Sequence, residues 1–296
     1  MDDTRRKFND EITAKLTAPA NEETLSEDVN VQPKFNVDLG TWIIPALKIV
    51  GLDVKLWHGE VDIELGTQND IITIEGDVRG LDVTVSENGI LTVREGRFFR
   101  GIIGRDIALI VPNKKWACVC VATTFGDIDC RVEQCSRGEF KTVINGDIDC
   151  EGIWQSFQAK TVGGDVDLQG VVEDMRVKTT VGDVDIEGDV ICARVRSLSG
   201  DIDVVSVVHP RELNLSSKKG DVDVELPDGD PFHAKLRTWR GDVEYDFPEN
   251  WRSRSMKDGS IPQYVLSSIS GDLSLTRLEE DEEDEEENFQ LGYDFE

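Results

Sequence analysis

A short phrase, Gly-Asp followed by an alternating β-type run, recurs eight times between Gly126 and Asp272. Successive copies begin 20, 18, 18, 18, 20, 21 and 30 residues apart. A nearly constant period of this length is typical of a solenoid, in which each repeat forms one coil and buries its apolar side only by stacking on its neighbours. The copies begin at Gly126, Gly146, Gly164, Gly182, Gly200, Gly220, Gly241 and Gly271.

Within each copy, apolar and polar side chains alternate after the Gly-Asp pair. In the third copy, Val166 and Leu168 flank Asp167. Because successive side chains of a strand point to opposite faces, this pattern predicts a strand with an apolar inner face and an acidic outer face. Each repeat glycine is predicted to form a corner, where φ can be positive or two backbones approach closely.

The outward carboxylates of the stacked coils are candidate metal ligands. Equivalent residues of adjacent coils would lie about 4.8 Å apart, and two carboxylates at that distance repel by roughly 1 kcal/mol in water. We expect Lys160, Lys178 and Arg196 to offset part of this repulsion and bound cations to offset more. Calcium, which prefers oxygen ligands, is the candidate ion, although the nonapeptide pattern of calcium-binding β-rolls is absent. The candidate ligands are Asp129, Asp149, Asp167, Asp185, Asp203 and Asp223.

Composition divides the chain into four parts. Residues 1–33 are predicted to form a short helix and a polar linker, since apolar residues recur there at i, i+4 and i+8. Residues 34–122 are predicted to be an irregular β region that holds the first coils, and residues 123–278 a regular all-β, single-stranded β-solenoid with coils of about 18–21 residues. Residues 279–296 begin with nine consecutive acids and are predicted to be a disordered tail.

Charge and hydropathy exclude several classes of protein. The formal net charge of −28 argues against binding to nucleic acid or to an anionic membrane surface. The longest apolar stretch, Leu39 to Leu52, is interrupted by Pro45 and Lys48 and is too short to span a bilayer. No secretory signal is expected. The six cysteines lack the paired spacing of zinc ligands and are interpreted as reduced, buried side chains, which favours a cytoplasmic location.

The repeated GDVD and GDID phrases resemble those of a bacterial β-strand-repeat family often labelled "putative adhesin". The resemblance covers roughly residues 50–278 and depends on the recurrence of these phrases at an 18–21-residue spacing. It implies a single-stranded β-helix without a recognised active site. It also implies a role in adhesion or in processes at the cell envelope.

The even distribution of acids argues against an enzyme. A glycoside hydrolase needs one unusual pair of carboxyl groups, whereas nearly every coil here carries the same Asp-x-Asp. His58, His209 and His233 are isolated from one another along the sequence. We therefore predict no catalytic residues and no tightly bound cofactor.

These observations favour a non-enzymatic, adhesin-like solenoid that acts as a structural or protein-interaction scaffold. The alternative is a surface or envelope-associated adhesin that binds glycan or protein in a calcium-dependent way, and a polysaccharide-active enzyme ranks third. Partners are expected to be proteins, with self-association through the coil ends or the N-terminal helix. Four tryptophans would serve as anchors of a binding surface wherever they are exposed: Trp116, Trp154, Trp239 and Trp251.

Overall fold

The computed structural model describes residues 32–96, 104–229, 231–251 and 261–278. The described residues are all-β, with a single 3₁₀ turn at Glu249–Trp251 and no α-helix. The predicted N-terminal helix and the predicted disordered tail both lie outside the described residues. The prediction of an all-β fold is therefore confirmed for the described residues, and the helix stays a prediction.

Twenty-one strands make up the described part of the chain, and they fall into three groups. The N-terminal strands are β1 (Lys34–Asn36), β2 (Thr41–Pro45), β3 (Gly51–Lys55), β4 (Val61–Gly66), β5 (Ile71–Gly76), β6 (Leu81–Val85), β7 (Ile90–Glu95), β8 (Ile107–Pro112) and β9 (Lys115–Trp116). The central strands are β10 (Cys118–Phe125), β11 (Ile128–Asn145), β12 (Ile148–Lys160), β13 (Val166–Lys178) and β14 (Val184–Arg196). The C-terminal strands are β15 (Ile202–Val205), β16 (Glu212–Ser216), β17 (Val222–Leu226), β18 (His233–Arg237), β19 (Val243–Tyr245), β20 (Gln263–Ser267) and β21 (Leu273–Arg277).

The strands stack in parallel as two ladders, one on each side of the Gly-Asp corner. The pre-corner ladder runs through β7, β3, β10, the C-terminal halves of β11 to β14, then β16, β20 and β18. The post-corner ladder runs through β8, β4, the N-terminal halves of β11 to β14, then β15, β17, β21 and β19. One pre-corner strand and the post-corner strand that follows it make one coil, so the ladders build a solenoid.

The coils at both ends are stacked out of sequence order. At one end, the coil of β7 and β8 lies outside the coil of β3 and β4, which precedes it in the chain. At the other end, the coil of β20 and β21 lies between the coil of β16 and β17 and the outermost coil of β18 and β19. The final repeat therefore fills a layer that the chain first skipped.

Additional antiparallel strands lie at the N-terminal end of the solenoid. Strand β5 pairs with β2 and β8, β6 pairs with β7, and β1 pairs with β2. At the other end, Phe247 and Trp251 pack against Phe232, with ring centroids 5.0 and 5.1 Å away. The apolar side chains of both ladders form one continuous core; in the third copy Val166 and Leu168 face inward and are 0% and 2% exposed.

The glycine of each corner permits close stacking of the backbones. Gly164, for example, has φ +148°, and a Cβ there would meet the carbonyl oxygen of Gly146 in the adjacent coil. A second column of glycines turns the chain in the middle of the long strands. Gly152, Gly170 and Gly188 are in register, and each has a positive φ.

The aspartate of each Gly-Asp pair connects one coil to the next. The N–H of Asp165 donates to Asp147 Oδ1 at 2.8 Å, and the N–H of Asp183 donates to Asp165 Oδ1 at 2.7 Å. The same bond recurs up to the outermost coil, where the N–H of Asp242 donates to Asp272 Oδ1. These side chains therefore satisfy backbone donors of the neighbouring coil, which explains why an Asp follows the Gly in every copy.

Replacing one of these corner aspartates should weaken the stack. Asp165→Ala removes the acceptor for the N–H of Asp183, and we expect the free energy of unfolding to fall by about 1 kcal/mol. Asp165→Asn keeps an acceptor oxygen and should lose less. Chemical denaturation of both variants measures the difference, and equal stability of Asp165→Ala and the unaltered protein would contradict this role.

Candidate functional site

The carboxylates singled out from the sequence form one column on the outer face of the post-corner ladder, which we call the acidic ladder. Asp129 pairs in register with Asp149, Asp149 with Asp167, and Asp167 with Asp185. The column continues through Asp203 and Asp223 in the next two coils. The structure therefore brings all six candidate ligands together.

The acidic ladder is longer than the six candidate residues. Asp62 lies in register beside Asp129, and Ser274 and Glu244 follow Asp223 at the other end. Asp62 belongs to the degenerate phrase Gly59-Glu-Val-Asp-Ile, so the repeat pattern contains the signal that identifies it.

Close stacking makes it unfavourable for every member of this column to be ionised. Burial and the adjacent carboxyl groups of Asp167 and Asp129 raise the pKa of Asp149 to about 7. Burial together with the charges of Asp223 and Asp185 raises the pKa of Asp203 to about 6. Near neutral pH the column therefore holds protons that isolated carboxyl groups would have released.

The terminal member of the column shows the same effect. Burial and then the charges of Glu60 and Asp129 raise the pKa of Asp62 to about 6. The pKa values of Asp185 and Asp223 are also raised, first by burial and then by neighbouring carboxylates. The leading electrostatic influences on all these groups come from other acids.

The expectation that Lys160, Lys178 and Arg196 offset this repulsion is wrong. These residues end the pre-corner strands, whereas the acidic ladder lies beyond the Gly-Asp corner on the post-corner strands. The corner therefore separates the basic side chains of the pre-corner strands from the carboxylates of the post-corner strands. The acidic ladder is left to be stabilised by protons or by cations from outside the chain.

An open groove of about 310 Å³ follows the central part of the acidic ladder. A second outward column, two residues further along each strand, forms part of its wall. This second column carries charges of both signs, since it includes Arg131 as well as Glu151, Gln169 and Glu187. The groove is lined by Asp129, Cys130, Arg131, Asp149, Cys150, Glu151, Asp167, Leu168, Gln169, Asp185 and Glu187.

Three carboxyl groups meet where the regular repeats begin. One oxygen from each of Glu60, Asp62 and Asp129 lies within 4.8 Å of the others. Oxygen ligands of this kind suit a hard cation such as calcium. Of these three, only Asp129 was among the candidate ligands from the sequence.

The remaining residues considered from the sequence do not converge on a catalytic arrangement in the described part of the chain. His58 stacks on Phe125 with ring centroids 4.8 Å apart, His209 lies near Phe232, and His233 begins β18. The six cysteines are free thiols, with Cys130 and Cys150 in register in the core.

The four tryptophans considered as anchors have different environments. Trp116 and Trp154 are fully buried and therefore belong to the core. Trp251 packs against the core, whereas Trp239 is 82% exposed at the corner of the outermost coil. Only Trp239 of these four is available as an anchor.

The architecture is that of a parallel β-solenoid, and comparison with known protein families agrees. The Toastrack DUF4097 family model matches residues 41–292, and the chain belongs to this family. No curated protein matches the sequence. In the described part of the chain, no helix is long and apolar enough to cross a membrane.

Several solved bacterial structures match this chain at low sequence identity. A "putative adhesin" from Bacteroides fragilis is 14% identical, with a TM-score of 0.49, covering 80% of this chain and 96% of that one. A "putative adhesin" from Parabacteroides merdae is 11% identical, with a TM-score of 0.34 and coverages of 81% and 95%. A "putative lipid binding protein" from Parabacteroides distasonis is 11% identical, with a TM-score of 0.42 and coverages of 84% and 98%.

The repulsion within the acidic ladder should make the stability of the protein depend on pH. The pKa of Asp149 is raised from 3.8 to about 7 in the folded protein, so the folded state binds more protons than the unfolded chain between these values. Its ionisation therefore lowers the free energy of unfolding as pH rises through this window. Asp149→Asn should be the more stable protein above pH 7, by about 0.5–1 kcal/mol, with the advantage disappearing below about pH 4.

Thermal and chemical unfolding between pH 4 and pH 8 measures this difference. Asp38→Asn, in the exposed turn after β1, is the matched substitution away from the acidic ladder. An equal gain in both variants, or a gain that does not change with pH, would contradict the assignment to carboxylate repulsion.

Proposed function

We propose that this protein is a non-enzymatic, adhesin-like β-solenoid that acts as an interaction scaffold, with the acidic ladder as its binding surface. The observation that carries the proposal is the register of Asp129, Asp149, Asp167 and Asp185 along one groove. Their pairing places carboxyl groups at the spacing of the strands, and burial together with the adjacent carboxyl groups raises the pKa of Asp149 to about 7. A cationic ligand would relieve this repulsion on binding.

The ligand class follows from the geometry of the ladder. Equivalent carboxylates recur about every 4.8 Å along a nearly straight column. An extended polypeptide has side chains of one face about 6.6 Å apart, so a flexible segment rich in Lys and Arg can adjust to such a column. We therefore favour a protein partner with a basic segment, and a location in the cytoplasm.

The even spacing of acids supports a binding role over catalysis. Catalysis by paired carboxyl groups requires one acid and one base in different environments. In the acidic ladder, burial and adjacent carboxylates raise the pKa values of Asp149, Asp185, Asp203 and Asp223 in the same direction. A raised pKa is therefore shared by several coils.

A calcium-dependent adhesin at the cell surface or envelope is the second candidate. The observation that favours it is the cluster of Glu60, Asp62 and Asp129 at the start of the regular coils. In this alternative, calcium would bind the cluster and the adjoining groove would contact glycan or protein.

Titration with an octalysine peptide and, separately, with calcium chloride tests the binding surface. At pH 8, Asp149→Asn/Asp167→Asn should weaken octalysine binding about fivefold, because two charges of the ladder are lost. The matched control, Glu75→Gln/Glu87→Gln, removes the same charge at exposed positions outside the ladder. Equal weakening in both variants would show that only net charge matters and would contradict a defined site.

Calcium distinguishes the two candidates. If calcium binds and Asp62→Asn/Asp129→Asn abolishes that binding, the calcium-dependent alternative gains support. If octalysine binds in the presence of excess chelator, the scaffold proposal gains support. Hydrolysis of a polysaccharide that a single Asp→Asn change abolishes would overturn both.

Fractionation of native cells tests the proposed location. Antibody detection should find the protein in the cytosolic pool, with its six cysteines reactive toward a thiol reagent after denaturation. Recovery from the envelope or the cell surface would instead favour the adhesin alternative.

A further inference from the structure

A second charged column, of opposite sign, lies on the pre-corner strands. Lys141 pairs in register with Lys160, Lys160 with Lys178, and Lys178 with Arg196. All four side chains are exposed. We call these four residues the basic ladder; it extends over four consecutive coils, or about 14 Å.

Several other cations of the pre-corner ladder are neutralised locally. Lys55 and Arg94, which continue the same column towards the N-terminal end, both contact Asp53 at 2.9 Å. In the neighbouring column, Arg194 contacts Glu212 and Arg176 contacts Asp174, each at 3.1 Å.

The basic ladder has no such neutralisation. Among the described residues, none of its four cations has a carboxylate within 4.0 Å. Four cations stacked at strand spacing repel one another, as the acids do on the other ladder. In a chain with a net charge of −28, a column of unpaired cations indicates an anionic segment that binds there.

The chain itself contains such a segment. Residues 279–287 are nine consecutive acids without a single Lys or Arg. They follow Leu278, whose N–H donates to the carbonyl oxygen of Leu226 at the end of β17. Nine residues can extend about 30 Å, which exceeds the five coil steps, or about 24 Å, that separate Lys141 from the coil of β20 and β21 along the solenoid axis.

The acidic segment begins close to the basic ladder along the solenoid axis. Leu278 follows β21, which shares a coil with β20. The pre-corner strands from Arg196 to that coil are β14, β16 and β20, a separation of two coil steps, or about 10 Å. Tethering to the same chain gives the segment an effective concentration in the millimolar range, which a free anionic partner would have to exceed.

We propose that residues 279–287 bind the basic ladder of the same chain. Carboxylates of the acidic segment contact Lys141, Lys160, Lys178 and Arg196 and neutralise them. The basic ladder is then a docking surface for an acidic segment, distinct from the acidic ladder on the other side of the corner. A partner protein with its own acidic segment would gain access only by displacing the tail.

Carbodiimide cross-linking of the full chain tests this proposal, because the reagent joins an amine to a carboxyl group only where the two are in contact. At low salt, mass spectrometry should find links from Lys141, Lys160 and Lys178 to residues 279–287. In 0.5 M sodium chloride these links should fall about fivefold, since the Debye length shortens to about 4 Å. In an equimolar mixture of ¹⁴N and ¹⁵N protein, the two peptides of each link should carry the same isotope, because the tail and the basic ladder belong to one molecule.

Matched variants identify the surface. In Lys160→Glu/Lys178→Glu, the links from Lys141 to the tail should fall about fivefold, because two of the four cations now repel the acids. Lys34→Glu/Arg79→Glu makes the same change of charge at exposed positions near the N-terminal end and should leave the links from Lys141 to the tail unchanged. Lys160→Gln/Lys178→Gln introduces no new charge and should reduce the links from Lys141 to the tail by a smaller factor.

Three results would overturn the proposal. The first is that residues 279–287 form links with lysines outside the basic ladder as often as with lysines of the basic ladder. Another is links that appear only between unlike isotopic chains, which would mean that the tail of a second copy is bound. The third is an equal loss of links in Lys160→Glu/Lys178→Glu and Lys34→Glu/Arg79→Glu.

Discussion

Parallel stacking in register is the constraint on which the rest of this structure depends. Each strand pairs with its equivalent in the next coil, so any residue type that recurs in the repeat becomes a column about 4.8 Å apart. Apolar residues such as Val166 and Val184 then form a core that no single coil could build. The corner glycines follow from the same spacing, since a Cβ at Gly182 would meet the backbone of Gly164.

The same stacking places like charges beside one another, and the two aspartates of the repeat illustrate opposite outcomes. Asp165, at the corner, accepts the N–H of Asp183 in the adjacent coil and so contributes to the stack. Asp167, two residues later, lies beside Asp149 and Asp185 and raises the pKa values of both. One carboxylate of each phrase therefore maintains the fold, and the other gives the surface its acidic character.

The ends of the solenoid are closed by rearranging the order of the coils. At the C-terminal end the chain passes over one layer, forms the outermost coil and returns to fill that layer. At the N-terminal end it forms the second layer first, then the outermost coil, and then passes over the second layer to continue the stack. The outermost coil is therefore connected on both sides to inner layers, where a simple sequential stack would leave it as a free terminus. Each end also has an additional cover. Antiparallel strands lie at the N-terminal end, and the aromatic contacts of Phe232, Phe247 and Trp251 lie at the C-terminal end.

The sequence by itself determined the β-solenoid, the corner glycines and the column of Asp129 to Asp223, because a local repeat with period-two alternation specifies strand, face and register at once. It did not determine the order of the end coils, because the copies at Gly220, Gly241 and Gly271 are similar enough to pair in more than one order. Only the tertiary structure separated Lys160 and Lys178 from the acidic ladder, because residues seven positions apart in the chain lie on different sides of a corner. It also decided the burial of Trp116 and Trp154 and the position of Glu60 beside Asp129, since each depends on contacts between stacked coils.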